Sequence, residues 1–514
     1  MNSNLRIACV TVGLPARGKT YIAQKVWRYL SWIGIHTKVF NVGDYRRKLA
    51  GSHVPHTFFD PHNSTGEAQR QEAADQALQD MIRFFEKDGG IVALYDATNS
   101  TLKRRKWILE TLTKHDVDVL FIESICQEDE IIMRNIREVK LLSPDYVHVD
   151  PEVAAEDFKA RIEHYRERYE PISEEEEKDI SYIKLINVGH QFIINMIRGY
   201  LESKVIQFLM NLHIVPRKIY LSRHGESMYN VDGKLGGDSE LSPRGQMYAQ
   251  QLPELVRKHL GNQNLTVWTS TMKRTIATAK NLRYPKKTWK ALDELDAGVC
   301  DGMTYEEIQE KYPEDFANRD EDKFNYRYRG GESYRDVVLR LEPVVMELER
   351  QENILIVGHQ AILRCLHAYF FHDKHEELPY IKIPLHTLIE LTPRAYACEE
   401  KRYPLNIAAV DTHRPKPKSS SSSSSHLTPT SIGINSRSTN AGASGEIVTA
   451  PMSPILPISP QLFPNIHTAT AGVNGGRDSR SMSSGSSGNN QNDDQSVPGD
   501  MASLDLGAAV VGMQ

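Results

Sequence analysis

The sequence predicts two α/β domains in series, followed by a polar tail, and three observations carry that prediction. Residues 1–212 alternate short apolar runs with longer amphipathic stretches, the pattern of a mostly parallel sheet with crossover helices. Residues 216–412 repeat the alternation around different motifs. From residue 413 the composition turns to Ser, Pro, Gly, Asn and Thr with few aromatics, including an unbroken serine run at 419–425. Such a segment buries too little apolar surface to offset its chain entropy, so residues 413–514 are expected to be disordered.

In the first domain, strands are predicted at 5–12, 37–42, 91–95, 117–122 and 182–188. A helix is predicted over 21–30, and the four-residue spacing of Phe192, Met196 and Tyr200, and of Ile193, Ile197 and Leu201, predicts a closing helix that continues to Phe208 and Leu212. The proline in "HIVPRK" (213–218) breaks the chain before the second domain. There, strands are predicted at 219–221, 265–268 and 354–357, with helices near 242–260, 271–281 and 332–350. The two domains do not resemble each other, and no internal repeat is visible.

Composition narrows the function classes. A net charge of -5 argues against a dominant non-specific nucleic-acid binder. The five cysteines, Cys9, Cys126, Cys300, Cys365 and Cys398, are scattered without CxxC pairs, as in reduced cytosolic proteins. No signal-peptide pattern precedes the first strand, and no apolar run reaches the roughly 18 residues of a membrane span. A cytoplasmic protein without membrane or nucleic-acid partners is therefore expected.

The first motif is Gly13-Leu14-Pro15-Ala16-Arg17-Gly18-Lys19-Thr20, which fits G-x-x-x-x-G-K-[ST] between a predicted strand and a predicted helix. Its glycines let backbone N–H groups turn in around phosphate oxygens, and the helix N-terminus adds partial positive charge. Lys19 reaches the β and γ phosphates, and Thr20 can ligate Mg²⁺. ATP with Mg²⁺ is the expected co-substrate, with no tightly bound organic cofactor. Asp96 ends the strand of "IVALYDAT", with Thr98 just beyond it. A carboxylate there suits a magnesium partner or a base near the acceptor hydroxyl, and equally a helix cap. A phosphate-bearing acceptor needs cations, for which Arg46, Arg70, Arg104, Lys140 and Arg161 are candidates; spacing alone does not select them.

The second motif, "RHGE" at 223–226, follows the strand 219–221. "TSTMKRTIATA" supplies Arg274, "ALDELDAG" supplies Asp293, Glu294 and Asp296, and "ILIVGHQA" supplies His359, with Gln360 and Arg364 close behind. A histidine nucleophile needs one ring nitrogen free and the other tied down. The phosphoryl group it receives needs fixed cations, which Arg223, Arg274 and His359 can furnish. The leaving alkoxide needs a proton from a carboxylic acid, and Glu294 is the candidate. His224 is the expected nucleophile.

The pairing of "GLPARGKT" with "RHGE" and "GHQA" resembles the bifunctional 6-phosphofructo-2-kinase/fructose-2,6-bisphosphatase family. The resemblance extends through "TKVFNVGDYRR", "DATNST", "SPDY", "RHGE…GGDS", "WKALDELDAGVC", "TYEEI", "GGESY" and "PLHT", over roughly residues 5–412. It implies an N-terminal P-loop kinase domain and a C-terminal histidine-phosphatase domain similar to phosphoglycerate mutases. It further implies a bifunctional enzyme that makes fructose 2,6-bisphosphate from fructose 6-phosphate and ATP and hydrolyses it through a phosphohistidine, setting glycolysis against gluconeogenesis. In the kinase half, the resemblance assigns residues 13–20, Asn135 and Lys140 to ATP. It assigns Arg46, Arg70, Thr98, Arg104, Arg161 and Tyr165 to fructose 6-phosphate, and Asp96 and Cys126 to catalysis. Read as a residue, Cys126 is a buried structural thiol. In the phosphatase half, His224, Glu294 and His359 are catalytic. Arg223, Asn230, Gly236, Arg274, Tyr305, Arg319, Lys323, Tyr334, Gln360 and Arg364 bind the sugar bisphosphate. A homodimer is implied as well. Gly302 stands where an acidic residue is common in the family.

Two other readings compete. A kinase–phosphatase acting on nucleic-acid ends needs a basic groove or a stacking platform, for which the acidic balance and five tryptophans give little support. A phosphosugar-sensing scaffold predicts the loss of a catalytic residue, yet Lys19, Thr20, Asp96, His224, Glu294 and His359 are all present. In the tail, Ser453-Pro454, Ser459-Pro460 and Ser483 resemble substrates of regulatory protein kinases.

Overall fold

The computed structural model describes residues 6–137, 143–146, 148–212, 216–394 and 397–416. Lys140 and the tail serines Ser453, Ser459 and Ser483 lie outside them. Two six-stranded sheets organise the chain. The first holds β1 (Ile7–Val12), β2 (Thr37–Asn41), β3 (Val92–Asp96), β4 (Asp118–Ile125), β5 (Ser181–Ile186) and β6 (Gln191–Asn195), in the order β2-β3-β1-β4-β5-β6. All neighbours are parallel except β5 and β6. β1 and β3 are buried along their whole length, which is why they read as continuous apolar runs rather than alternating ones.

β6 corrects the sequence reading. The predicted closing helix is a strand over Gln191–Asn195, and helix begins only at Tyr200. Left-handed Val188 (φ 59°) and Gly189 (φ 91°) reverse the chain, and "QFIIN" then pairs antiparallel with β5. Over so short an apolar run, a four-residue spacing fits a two-residue period as well as a helix, and the β-branched pair Ile193-Ile194 favours the strand.

The second sheet holds β7 (Ile219–Arg223), β8 (Thr266–Thr269), β9 (Lys286–Thr288), β10 (Ile354–Gly358), β11 (Thr387–Pro393) and β12 (Cys398–Pro404), in the order β12-β11-β7-β10-β8-β9. β11 runs antiparallel to both its neighbours, β12 and β7, and the rest of the sheet is parallel. Helices Pro243–Leu260, Lys273–Ala279 and Tyr334–Arg350 lie where the sequence predicts them, and Gln360–Phe371 follows β10 directly.

The halves share one apolar core. Ile22, Val26 and Tyr29 of helix Lys19–Trp32 pack in the same cluster as Leu341 and Val345 of helix Tyr334–Arg350 and Leu366 and Tyr369 of helix Gln360–Phe371. Within it, the fully buried Glu349 accepts from Lys25 (2.9 Å), Arg217 (2.7 Å) and Tyr369 (2.6 Å). Against the cost of burial, Lys25 and Arg217 hold the Glu349 carboxyl down to about 2. Among the described residues, no helix is long and apolar enough to cross a membrane.

Candidate active sites

The first site opens at the carboxyl ends of β1 and β3, where α/β sheets place ligands. The phosphate loop leaves β1 at Gly13. Its φ of 131° favours glycine, and a Cβ at this position would stand only 2.5 Å from the Ser124 carbonyl oxygen. Gly18 (φ 81°) caps helix Lys19–Trp32, and Asn135 Nδ2 donates to the Ala16 carbonyl at 3.1 Å, fixing the loop from outside. Lys19 Nζ donates to the Leu14 carbonyl at 2.5 Å. Asp96, at the end of β3, is buried; it accepts from Asn41 Nδ2 at 2.6 Å and from Thr11 Oγ1 at 3.4 Å. Thr98 turns its carbonyl onto Gly13 N–H at 2.9 Å.

Asn41, Asp96, Thr98 and Ser124 line one cleft of about 1650 Å³, larger than the roughly 300–1,000 Å³ of a single small-molecule site, and so wide enough for two substrates. Arg46, Arg70, Arg104, Cys126, Asn135, Arg161 and Tyr165 line it together with Pro15 to Thr20, while Gly13 and Leu14 lie behind. Phe59, which the sequence alone does not point to, organises the cations. The guanidinium of Arg161 lies 3.7 Å from its ring centroid, Arg46 5.7 Å and Arg70 5.9 Å. Asp145 binds Arg46 (2.5 Å), Arg47 (3.4 Å) and Arg161 (3.6 Å). One carboxylate facing three guanidinium groups leaves a net positive wall suited to a phosphate. Arg104 stands apart, over Trp107 at 4.8 Å. Cys126 is buried among Ile132, Ile136 and Phe158, with its Sγ 4.0 Å from the Glu128 carbonyl.

In the second site, strand register does the assembly. β7 and β10 pair Arg223 with Gly358, so His224 and His359 emerge side by side, ring centroids 5.2 Å apart. His224 Nδ1 lies 2.7 Å from the Gly225 carbonyl, which can only accept; Nδ1 therefore carries the proton and Nε2 keeps its lone pair. His359 has the opposite tautomer. Arg274 Nε donates to its Nδ1 at 3.2 Å, so its Nε2 carries the proton and donates to Ser270 Oγ at 2.7 Å. Burial, then Arg274 and Arg223, depress His224 well below the ordinary imidazole value, and burial, Arg274 and His224 do the same to His359. Both rings are neutral at physiological pH.

The three carboxylates of "DELD" separate. Asp293 caps Thr271 and pairs with Lys290, and Asp296 caps Gly298. Glu294 accepts from the backbone N–H groups of Leu295 (2.9 Å), Gln360 (3.0 Å) and Ala361 (3.2 Å), which fixes it at the start of the helix after His359. Arg223 Nε and Arg364 Nη2 are buried with no hydrogen-bond partner among the described residues, an arrangement that suits an anion. Burial moves Arg223 down to about 10. Tyr334 OH accepts from Arg364 (3.0 Å), and Tyr305 OH from Arg319 (2.9 Å). Asn230 closes the capping box of helix Met228–Val231, and Gly236 (φ 66°) lies against Asp301 in a loop whose Gly237 carbonyl holds Arg274 at 2.6 Å. Ser270, which accepts from the His359 Nε2 proton, has no local sequence mark that could have found it.

Burial, with Arg319, Arg364 and Arg414 around it, lowers the Lys323 ammonium to about 6. Its charge is present below that value and fades as pH rises through it. Affinity for a phosphate there is expected to fall from pH 6 to 8. Lys323→Arg, whose charge does not titrate in that range, removes that component of the pH profile of kcat/KM. Equal slopes in the two proteins would refute it.

Fold and sites together define a fused enzyme of phosphoryl chemistry, a P-loop kinase followed by a histidine phosphatase. The family model of 6-phosphofructo-2-kinase matches residues 1–216, and that of the histidine phosphatase superfamily (branch 1) matches residues 219–405. The chain is 53% identical over 417 residues to a fructose-2,6-bisphosphatase of Saccharomyces cerevisiae, covering 81% of this chain and 92% of that one. It is also 53% identical over 407 residues to 6-phosphofructo-2-kinase/fructose-2,6-bisphosphatase 1 of Rattus norvegicus, covering 79% and 86%. A 6-phosphofructo-2-kinase/fructose-2,6-bisphosphatase of Aquarana catesbeiana is 52% identical over 407 residues, with the same coverage. The chain belongs to the 6-phosphofructo-2-kinase/fructose-2,6-bisphosphatase family.

Proposed function

We propose that the first cleft transfers the γ-phosphoryl of ATP to the 2-hydroxyl of fructose 6-phosphate, and that the second site returns fructose 2,6-bisphosphate to fructose 6-phosphate and phosphate. The functional boundaries are read as 1–212, 216–412 and a tail from 413. In the kinase half, residues 13–20 and Asn135 hold ATP. Mg²⁺ enters with the nucleotide, and the oxygens of Thr20 and Asp96 are candidates to meet it. The Phe59 cage of Arg46, Arg70 and Arg161, with Thr98, Arg104 and Tyr165, takes the sugar phosphate. Cys126 shapes the cleft wall.

In the phosphatase half, His224 Nε2 attacks the 2-phosphate and the P–O bond to the sugar breaks. Glu294 gives the leaving oxygen its proton; water then attacks the phosphohistidine while the Glu294 carboxylate takes its proton, the P–Nε2 bond breaks, and phosphate leaves with His224 and Glu294 restored. Arg223, Arg274 and His359 hold the transferring group. Asn230, Gly236, Tyr305, Arg319, Lys323, Tyr334, Gln360 and Arg364 surround the sugar and its second phosphate. The His224 tautomer carries this reading, because a lone pair on Nε2 of a ring that lies in the field of Arg274 and Arg223 is what nucleophilic attack on phosphorus needs. A cytoplasmic homodimer, regulated by protein kinases acting on the tail, completes the proposal.

The test is mass spectrometry of the purified chain after brief mixing with fructose 2,6-bisphosphate and an acid-free quench. A phosphoryl adduct on His224 is expected. No adduct and an untouched bisphosphate would overturn the second half of the reading.

A further inference from the structure

A strap at the end of the described chain crosses the phosphatase pocket and has no part in the chemistry above. It is pinned on both sides. Val410 N–H donates to Glu226 Oε2 at 2.9 Å, and His386, which accepts from Glu226 N–H at 3.0 Å, holds the Ile407 carbonyl at 3.1 Å. Beyond the crossing, Arg414 Nη2 donates to Asp320 Oδ2 at 2.9 Å, and its guanidinium lies 4.7 Å from the Phe316 ring centroid. Between the pins, the Thr412 hydroxyl accepts from Arg223 Nη1 at 2.8 Å, and the Thr412 carbonyl lies 3.5 Å from Gln360 Nε2.

Both N–H groups of Arg223 Nη1 are engaged, one by Thr412 and one by the Ile383 carbonyl at 3.1 Å, whereas its Nε has no partner among the described residues; the whole side chain is buried. A phosphoryl oxygen that reaches Nη1 must take the place of the Thr412 hydroxyl, and one held by Nε alone forgoes that further bond. A lone hydroxyl would compete poorly with a dianion. A hydroxyl on a segment pinned a few residues to either side re-forms its bond at little entropic cost, so its effective concentration at Arg223 is high.

We infer that Thr412 is a positioning residue acting through Arg223: an internal competitor that weakens phosphate binding and speeds release of the phosphate product. This rests on the phosphatase reading for its biological meaning. Substrate and product phosphate both face the competitor, so its removal tightens both.

The experiment compares the full chain with its Thr412→Val, Thr412→Ala and Thr412→Ser variants. Binding of inorganic phosphate is measured by calorimetry, and hydrolysis of fructose 2,6-bisphosphate by initial rates. ATP-dependent synthesis reports that each variant is folded. Losing one hydrogen bond to a competitor should tighten inorganic phosphate about fivefold in the Val and Ala variants. KM should fall by the same factor while kcat stays level or drops as release slows. Thr412→Ser keeps the hydroxyl and should match the parent. Unchanged or weaker phosphate binding in folded Val and Ala variants overturns the inference, as does a Ser variant that behaves like them. The phosphate arm decides the matter whichever sugar is hydrolysed, so failure of the substrate assignment would show separately, as an inert bisphosphate with the binding shift intact.

Discussion

His224→Ala is expected to abolish hydrolysis of fructose 2,6-bisphosphate, by roughly 10⁴-fold or more, while synthesis continues at the parent rate. The size of the loss follows from geometry. The neighbouring His359 cannot substitute, because its Nδ1 accepts from Arg274 and its Nε2 is engaged with Ser270. With the His224 nitrogen removed and both nitrogens of His359 engaged, water must attack the phosphate directly and the two-step path is lost. The alanine removes a buried side chain at the end of β7 and touches nothing in the first cleft. Coupled assays of both activities on one preparation check the result. A parallel loss of synthesis would mean a misfolded chain or a single shared site.

Lys19→Ala is expected to do the reverse. It removes the ammonium held at the mouth of the phosphate loop, and with it charge stabilisation that grows as the γ-phosphoryl transfers. Loss of one such donor typically costs about 10²–10³ in kcat. Lys19 also begins helix Lys19–Trp32, but lysine and alanine are both good helix formers, so the helix should survive. Hydrolysis at His224 should be unaltered. Assaying ATP-dependent formation of fructose 2,6-bisphosphate beside its hydrolysis tests this; retained synthesis would remove the loop from the chemistry.

The central parallel strands of the two sheets and both motifs are legible in the sequence for one reason. Buried parallel strands are continuous apolar runs, and here their ends carry Gly13, Asp96, His224 and His359 directly, so strand and chemistry are adjacent in the chain. What depends on distant contacts is hidden. The hairpin β11–β12 escapes because β12 is largely exposed and its "CEEKRYP" reads as a polar loop. β6 reads as a helix because a short apolar run does not distinguish the two periods. Arg46, Arg70 and Arg161 can be singled out only through family resemblance, since Phe59 and Asp145, which gather them, draw on three separate stretches of chain. Glu294 can be chosen from its cluster, but only the backbone donors of Leu295, Gln360 and Ala361 separate it from Asp293 and Asp296. Ser270 and Thr412 have no local signature at all.

The shared core around Glu349 has a consequence for how the two activities vary. Helix Lys19–Trp32 leaves the phosphate loop, and helix Gln360–Phe371 leaves His359, and the two are packed in one cluster with a buried carboxylate tying Lys25 to Arg217 and Tyr369. Removing one partner from such a group typically costs about 3–5 kcal/mol. A substitution there lowers the supply of intact molecules, and each lost molecule takes one kinase and one phosphatase with it. Protein turnover and heat damage therefore scale both fluxes together. The balance between making and destroying the product shifts through events that act on one pocket and spare the other, which leaves abundance and set-point as independent controls.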